Sequence, residues 1–260
     1  NRSHISRSDN YNPHKLNFAY MKLTQRLAIG YVQTKFKLLS LLSKKKTAEK
    51  AMEIFGTPFL KSVRKAPIKN AETIHFHLNN KKVNGYRWNH PQTRKVLILH
   101  GFGSAAHKFE DYATLLAEKG FEVLAFDAPA HGESEGSTTN AIEYCEMIKK
   151  VMEQFGPIHS FLGHSFGGIS LSLALEEIPH DEHTRVVFIA PATETTTAVN
   201  GAFNMLKVKN ESVRNEFEKL VIKVSGKKIA WFSIRRAMHN IKASVLWIHD
   251  EDDDITPWAD

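Results

Sequence analysis

After Pro91 the sequence alternates short apolar runs with longer amphipathic ones, and this alternation restricts the fold more than any other feature. The short runs are rich in Val, Ile, Leu and Phe and have the length of buried strands. We expect strands at 95–100, 121–127, 159–165, 185–192 and 243–250. Helices between strands carry the chain back to the same end of a sheet, so neighbouring strands run parallel. The sequence therefore predicts an α/β protein with a mostly parallel sheet and helices on both faces.

Two segments depart from this alternation. Residues 72–90 hold two β-rich runs separated by the turn-like "NNKK", so we expect a hairpin that adds antiparallel strands at one edge. Residues 193–242 show helical periodicity without a strand. We expect two helices there, forming a cap over the carboxyl ends of the strands, where open α/β sheets bind ligands. The predicted core is then 71–192 together with 243–260, and 193–242 is the predicted cap.

The positive charge of the chain is concentrated near its N-terminus. Residues 21–70 hold 12 Lys and Arg against 2 Asp and Glu, whereas residues 71–260 hold 20 against 25. Charge therefore gives no support to nucleic-acid binding by the body of the protein, and we expect no such partner. Residues 1–20 are polar and lack periodicity. We expect them to be a leader or a disordered extension, with Met21 as the natural start.

Residues 21–43 predict a helix, the main element of a basic N-terminal segment at 21–70. A rotation of 100° per residue places its large apolar side chains on one broad face. These are Leu23, Leu27, Tyr31, Val32, Leu38, Leu39, Leu41 and Leu42. Such a helix packs against the body of a protein, which is the commoner case, or lies on an anionic membrane through residues 21–46.

The cellular location follows from two simple features of the sequence. A single cysteine gives no disulfide framework and indicates a reducing compartment. No apolar run reaches the ~18 residues that a membrane-spanning helix requires. We expect a cytoplasmic protein, with peripheral membrane contact as the alternative.

The motif "GHSFG" has the pattern G-x-S-x-G at the predicted join of a strand and a helix. A serine that projects from so sharp a turn needs small residues two positions before and after it, and Gly163 and Gly167 supply them. The following helix directs its first N–H groups to the same place. Ser165 is therefore the predicted nucleophile.

The motif "HGFG" follows the first parallel strand and supplies a second predicted part of the site. Attack by Ser165 on a carbonyl creates an oxyanion, which needs two N–H donors about 3 Å away. We expect one donor from the backbone of Phe166 and the other from the backbone of Phe102. Gly101 and Gly103 flank Phe102 and belong to the predicted site as loop glycines.

The sequence resembles the α/β-hydrolase fold family from about residue 72 to residue 260. The segments that carry the resemblance are "HGFG", "DAPAHGES", "GHSFGG" and "LWIHDEDDDITP". The resemblance implies a serine hydrolase that cleaves an ester, thioester or amide of a small to medium substrate through an acyl-enzyme, without cofactor or metal. In the family the catalytic acid stands four residues before a proline, which here is Asp253. Asp252 and Asp254 are the alternatives.

The family's chain order is nucleophile, acid and then histidine. No histidine follows Asp253 in this sequence. We therefore expect a C-terminally truncated fragment that lacks the last strand, the last helix and the catalytic histidine. Because a serine hydrolase without its base loses several orders of magnitude in rate, we expect the 260-residue chain to be inactive.

Two other functions remain open. "GFGSAA" lies between a predicted strand and a predicted helix and imitates a dinucleotide-binding turn, with Asp127 at the end of the next strand. A hydrolase-like binding module without catalysis is the second alternative, if the complete protein lacks the histidine. We interpret His75 and His77 as one face of a strand rather than a metal site, and Cys145 as a core residue.

Overall fold

The computed structural model describes residues 23–58, 61–64 and 66–260, so the predictions for residues 1–20 lie outside the described residues. Seven strands form one sheet in the order β1-β2-β4-β3-β5-β6-β7. They are β1 (Ala71–Leu78), β2 (Lys81–Trp88), β3 (Lys95–Leu99), β4 (Glu122–Phe126), β5 (Ser160–His164), β6 (Arg185–Ile189) and β7 (Ser244–Ile248). The pairs β1–β2 and β2–β4 are antiparallel, and the other neighbours are parallel. This mostly parallel sheet confirms the predicted fold class.

Helices surround the sheet, and several begin at capping residues that the sequence supplies. Within the described residues they are α1 (Leu23–Leu42), α2 (Lys44–Gly56), α3 (Glu110–Glu118), α4 (Ala141–Phe155), α5 (Phe166–Leu175), α6 (Thr195–Met205), α7 (Glu211–Ser225) and α8 (Ile234–Ala237). The Asn140 side chain accepts hydrogen bonds from the amides of Ile142 and Glu143, both at 3.0 Å. These bonds satisfy donors at the start of α4 that have no partner inside the helix.

The centre of the sheet is buried on both faces. In β3, Leu97 and Leu99 pack with residues of α4 and α5, while Val96 and Ile98 pack with α3 on the opposite face. This alternation explains why the strand reads as a continuous apolar run. Cys145 on α4 is buried, and burial raises the pKa of its thiol to about 12. Its prediction as a core residue is confirmed.

The two N-terminal helices and the cap form one helical layer with a small core of its own. Phe36 of α1 and Ala51 of α2 belong to the same hydrophobic cluster as Val199, Phe203 and Phe217 of the cap helices. The rings of Phe203 and Phe217 meet edge to face, with centroids 5.3 Å apart. Segments that the sequence places far apart thus stabilise one another.

Helix α1 packs through a different face from the one predicted. Its buried residue is Phe36, which was outside the predicted apolar set, and Val32 is partly buried beside it. Five of the predicted residues are exposed by 57% to 84%: Leu27, Tyr31, Leu38, Leu41 and Leu42. Among the described residues it packs against α2 and the cap helices, and these contacts leave the five side chains exposed.

The cap also differs from its prediction. The expected second helix is interrupted, because Ser233 starts a new short helix by accepting a hydrogen bond from the Arg236 amide at 3.1 Å. Helix α6 has no predicted counterpart, since its Thr- and Asn-rich sequence has low helix propensity and depends on packing. Within the described residues, no helix combines the length and apolarity needed to cross a bilayer.

Candidate active site

Ser165 occupies a sharp turn between β5 and α5, with φ 49° and ψ −117°. A positive φ is unfavourable for a residue that carries a Cβ. The surrounding loops hold it in place: its amide donates to the Ile189 carbonyl at 3.1 Å, and its carbonyl accepts from the amides of Gly168 at 2.9 Å and Ala192 at 3.0 Å. This is the backbone geometry that a projecting nucleophile requires.

The two glycines around Ser165 are required by close backbone contacts. A Cβ at Gly163 would lie 2.9 Å from the Cα of Gly168. A Cβ at Gly167 would lie 2.8 Å from the carbonyl oxygen of His100 and closer still to the end of β3. Real Cβ atoms do not approach other heavy atoms so closely, and main-chain atoms cannot easily move away. The close packing around Ser165 therefore requires glycine at both positions, as the motif predicts.

The loop after β3 lies directly against this turn. A Cβ at Gly101 would be 3.0 Å from the Cβ of Ser165, and Gly103 has φ 73°, which favours glycine. The rings of Phe102 and Phe166 contact edge to face at 5.6 Å. Neither the Phe102 amide nor the Phe166 amide donates to another group among the described residues. Two amides without partners next to Ser165 are what an oxyanion hole needs.

Buried side chains from the loop after β4 hold this loop in position. Nε2 of His131 accepts a hydrogen bond from the Gly103 amide at 2.9 Å, and its Nδ1–H donates to the Pro129 carbonyl at 3.0 Å. Oδ1 of Asp127 accepts from the Ala106 amide at 2.7 Å. The backbone that follows Phe102 is thus fixed in position.

A second buried histidine acts in the same way. Nδ1–H of His100 donates to the Gly101 carbonyl at 2.8 Å, and its Nε2 accepts from the Ala128 amide at 2.9 Å. Burial lowers the pKa of His100 to about 3 and also lowers the pKa of His131, so both rings are neutral near pH 7. Sequence reasoning missed the supporting roles of His131 and Asp127. The segment "DAPAHGES" contains both residues and could have indicated these roles, but it was used only for the family resemblance.

The environment of Asp127 argues against dinucleotide binding. Its side chain is buried, and Oδ2 accepts a hydrogen bond from the Glu133 amide at 2.9 Å while Oδ1 accepts from Ala106. Burial raises the pKa of Asp127 to about 6. A carboxylate that binds a ribose must be open to hydroxyl groups, whereas Asp127 is enclosed and occupied by backbone amides.

Asp253 lies in the loop after β7 and is held there by hydrogen bonds. It is half-buried, whereas its acidic neighbours in 250–254 are exposed. Its Oδ1 accepts from the amides of Ile255 and Thr256 at 2.9 Å, and its Oδ2 accepts from Thr256 Oγ1 at 2.8 Å. Burial raises the pKa of Asp253, but these hydrogen bonds outweigh it and leave the pKa below its ordinary value. The carboxylate is therefore ionised at neutral pH.

The loops that carry Ser165 and Asp253 meet at the same end of the sheet. Thr256 Oγ1 lies 3.4 Å from the carbonyl oxygen of Ala190, in the segment that also contacts the Ser165 backbone. Burial lowers the pKa of His164, and the negative charge of Asp253 partly offsets this effect. The predicted acid thus lies near the predicted nucleophile, and its catalytic role stays a prediction.

No histidine among the described residues hydrogen bonds to Ser165 Oγ. Nε2 of His249 lies 3.8 Å from Asp253 Oδ2, but it is also 2.5 Å from the Thr256 carbonyl oxygen. Nδ1 of His164 is buried without a hydrogen-bond partner. Neither ring is in the position of a general base for Ser165.

The described residues hold no group of three His, Cys, Asp or Glu that could bind a metal ion. His75 and His77 are exposed neighbours on β1, with ring centroids 6.4 Å apart. Their spacing follows from the two-residue repeat of a strand. They lie on the hairpin that ends in β2, at the opposite edge of the sheet from β7.

The profile of the α/β hydrolase fold family matches residues 95–260, more than half of the chain. The chain therefore belongs to the α/β hydrolase fold family.

Among curated proteins, the chain is similar to the uncharacterized hydrolase YugF of Bacillus subtilis. The two are 36% identical over 95 residues, which cover 35% of this chain and 34% of that protein. It is also 26% identical to human monoglyceride lipase over 132 residues, 47% of this chain and 43% of the lipase. The chain spans only 24% to 56% of the length of the first curated relatives that it matches.

Among the solved structures that share the fold, two are representative. The esterase Pf2001 of Pyrococcus furiosus matches with a TM-score of 0.56 and 20% identity, over 76% of this chain and 79% of that one. A membrane phospholipase A described as a bacterial virulence factor matches with a TM-score of 0.54 and 15% identity, over 91% and 83%. At these identities the likeness concerns the fold alone.

Proposed function

We propose that this protein is a serine hydrolase that cleaves a carboxylic ester, or a related thioester or amide, of a small to medium substrate. Ser165 attacks the acyl carbon, the amides of Phe102 and Phe166 stabilise the oxyanion, and water releases the acyl group. The observation that carries this proposal is Ser165 at a positive φ beside two amides that have no hydrogen-bond partner among the described residues. Membership of the family and its esterase- and lipase-like relatives support a small-molecule substrate.

The proposed acid is Asp253, which would fix the tautomer of a histidine and stabilise its cation. The family's chain order places this histidine after Asp253. We propose that a segment following Asp260 supplies it, because none of the described histidines hydrogen bonds to Ser165 Oγ. Leu246 and Ile248 on the edge strand β7 are 56% and 48% exposed, which leaves a surface that such a segment could cover.

A fluorophosphonate probe tests the nucleophile directly, because it reacts covalently with an activated serine. We expect the protein expressed from its complete reading frame to be labelled, and Ser165→Ala to lose the label. Ser160→Ala is the matched control, since Ser160 lies at the opposite end of the same strand. If Ser165→Ala is labelled as strongly as the unmodified protein, the proposed mechanism is wrong.

A binding module without catalysis is the second candidate, favoured by the lack of a histidine at Ser165 among the described residues. Turnover of p-nitrophenyl esters with short to long acyl chains separates the two functions. We expect the complete protein to hydrolyse a subset of these esters and the 260-residue chain to be slower by several orders of magnitude. Absence of turnover and of probe labelling in the complete protein would favour the binding module.

A further inference from the structure

Helix α1 carries several large apolar side chains that are exposed on one side. Leu27, Tyr31, Leu38, Leu41 and Leu42, here called the outer stripe, are each more than half exposed. At 100° per residue they fall within an arc of about 100°, on the side of the helix opposite the buried Phe36. Exposed apolar residues scattered singly are ordinary, but several large ones aligned on one side of a helix mark an interaction surface.

The charged side chains of α1 and of the residues directly after it are all basic. Lys35 and Lys37 are exposed and lie on its two flanks, and Lys45 and Lys46 are exposed just beyond its C-terminal end. Residues 23–46 contain six Lys and Arg and no Asp or Glu. Long basic side chains beside an apolar stripe can extend to phosphate groups while the stripe enters an apolar layer.

We propose that α1 docks the protein onto an anionic lipid surface through the outer stripe and its flanking lysines. Charge selects this partner over a second copy of the chain, because pairing two outer stripes would bring the lysines of both copies together. It also selects a lipid over a nucleic acid, which offers phosphates but no apolar layer. The proposal does not depend on the hydrolytic chemistry.

The docked helix would hold the rest of the molecule at the surface. On the side away from the outer stripe, Phe36 packs in the cluster that includes Phe203 of the cap. Nε2 of Gln33 donates to the Met205 carbonyl at 2.8 Å. These contacts connect α1 to α6, so lipid binding would position the cap relative to the membrane.

A fluorescent label on the outer stripe tests the proposal with the full 260-residue chain. The one native cysteine, Cys145, is buried, so Leu41→Cys provides a single accessible thiol for a polarity-sensitive fluorophore. We expect its emission to shift to the blue with vesicles of phosphatidylcholine containing roughly one third phosphatidylglycerol, and not with phosphatidylcholine alone. Raising the salt concentration should reverse the shift.

Sedimentation with the same vesicles measures the contribution of each group. Lys35→Gln with Lys37→Gln should weaken binding roughly 30-fold, and Leu38→Ser with Leu42→Ser should weaken it at least about 10-fold. Leu115→Ser and Lys219→Gln are matched controls at exposed sites on other helices and should bind normally.

Three results would overturn the proposal. One is the absence of binding to both kinds of vesicle, and another is equal binding to both. The third is a blue-shifted label before vesicles are added, which would mean that another part of the chain or a second copy covers the outer stripe.

Discussion

The two sides of the candidate active site differ in how the chain holds them. The loops after β3 and β4 are joined by hydrogen bonds of His131 and Asp127, and the glycines of the turn after β5 pack so closely that larger residues would not fit. The loop after β7 holds Asp253 mainly through its neighbours Ile255 and Thr256, and β7 exposes Leu246 and Ile248. The geometry of nucleophilic attack is thus built into a rigid centre, whereas proton transfer depends on the less enclosed edge.

The largest expected effect concerns the acid on that edge. In the complete protein we expect Asp253→Asn to lower the rate of acylation by about 10⁴-fold, because the histidine would lose the carboxylate that fixes its tautomer and stabilises its cation. The measurement is kcat/KM on an activated ester. Asp254→Asn is the matched control and should be nearly neutral, since Asp254 is exposed. Similar losses in both variants would remove the assignment to Asp253.

Replacing glycine by alanine at one position in α5 and at one position in α6 tests how rigid this centre is. Gly167→Ala should lower the free energy of unfolding by about 3 kcal/mol, because its Cβ would collide with backbone carbonyls at the end of β3. Gly201→Ala in α6 meets no atom within 4 Å and should raise stability by about 0.5–1 kcal/mol. Urea unfolding of the 260-residue chain measures both. If Gly167→Ala leaves the free energy of unfolding unchanged, the turn can accommodate a Cβ and the centre is not rigid.

Low pH should lower the free energy of unfolding, because the rigid centre contains two buried histidines. The pKa of His100 is about 3 and that of His131 is also lowered, so the unfolded chain binds protons first as pH falls below about 6.5. Because His100 stays neutral in the folded state over this range, it alone costs about 2 kcal/mol of stability between pH 7 and pH 5. Asp127 has the opposite effect, because its pKa of about 6 in the folded protein lies above its pKa in the unfolded chain. Its protonation therefore restores about 1 kcal/mol of stability between pH 7 and pH 5.

We therefore expect urea unfolding of the 260-residue chain to show lower stability at pH 5 than at pH 7. His131→Gln should reduce this pH dependence, since the variant has no imidazole to protonate in either state. His77→Gln is the control, because His77 is exposed on β1 and its removal should leave the slope unchanged. An identical pH dependence in His131→Gln would show that His131 does not remain neutral in the folded protein.

The same contrast explains what the sequence could predict. The elbow around Ser165 and the loop around Phe102 follow from local motifs, since the glycine spacing itself dictates the backbone. The sheet was predictable because buried strands and amphipathic helices have distinct periods. The supporting contacts of His131 and Asp127 were not, because they join loops that follow different strands.

The packing of the helical layer was still harder to predict from the sequence. Apolar periodicity in α1 identified a helix but could not show which side faces the body, since its apolar residues exceed the available contact. Helix α6 has weak intrinsic propensity and depends on Val199 and Phe203, which pack in a hydrophobic cluster with residues of α1, α2 and α7. Contacts between distant segments decide both features, and no local pattern records them.

The smallest expected effect lies on the exposed face of β7. In the 260-residue chain Leu246→Ala should change the free energy of unfolding by no more than about 0.5 kcal/mol, because the side chain is 56% exposed. The matched substitution Leu97→Ala in β3 removes a fully buried side chain and should cost about 2–5 kcal/mol. In the complete protein the cost of Leu246→Ala should rise if the proposed segment covers β7. An unchanged small cost there would mean that this face stays open and that the catalytic histidine must come from elsewhere.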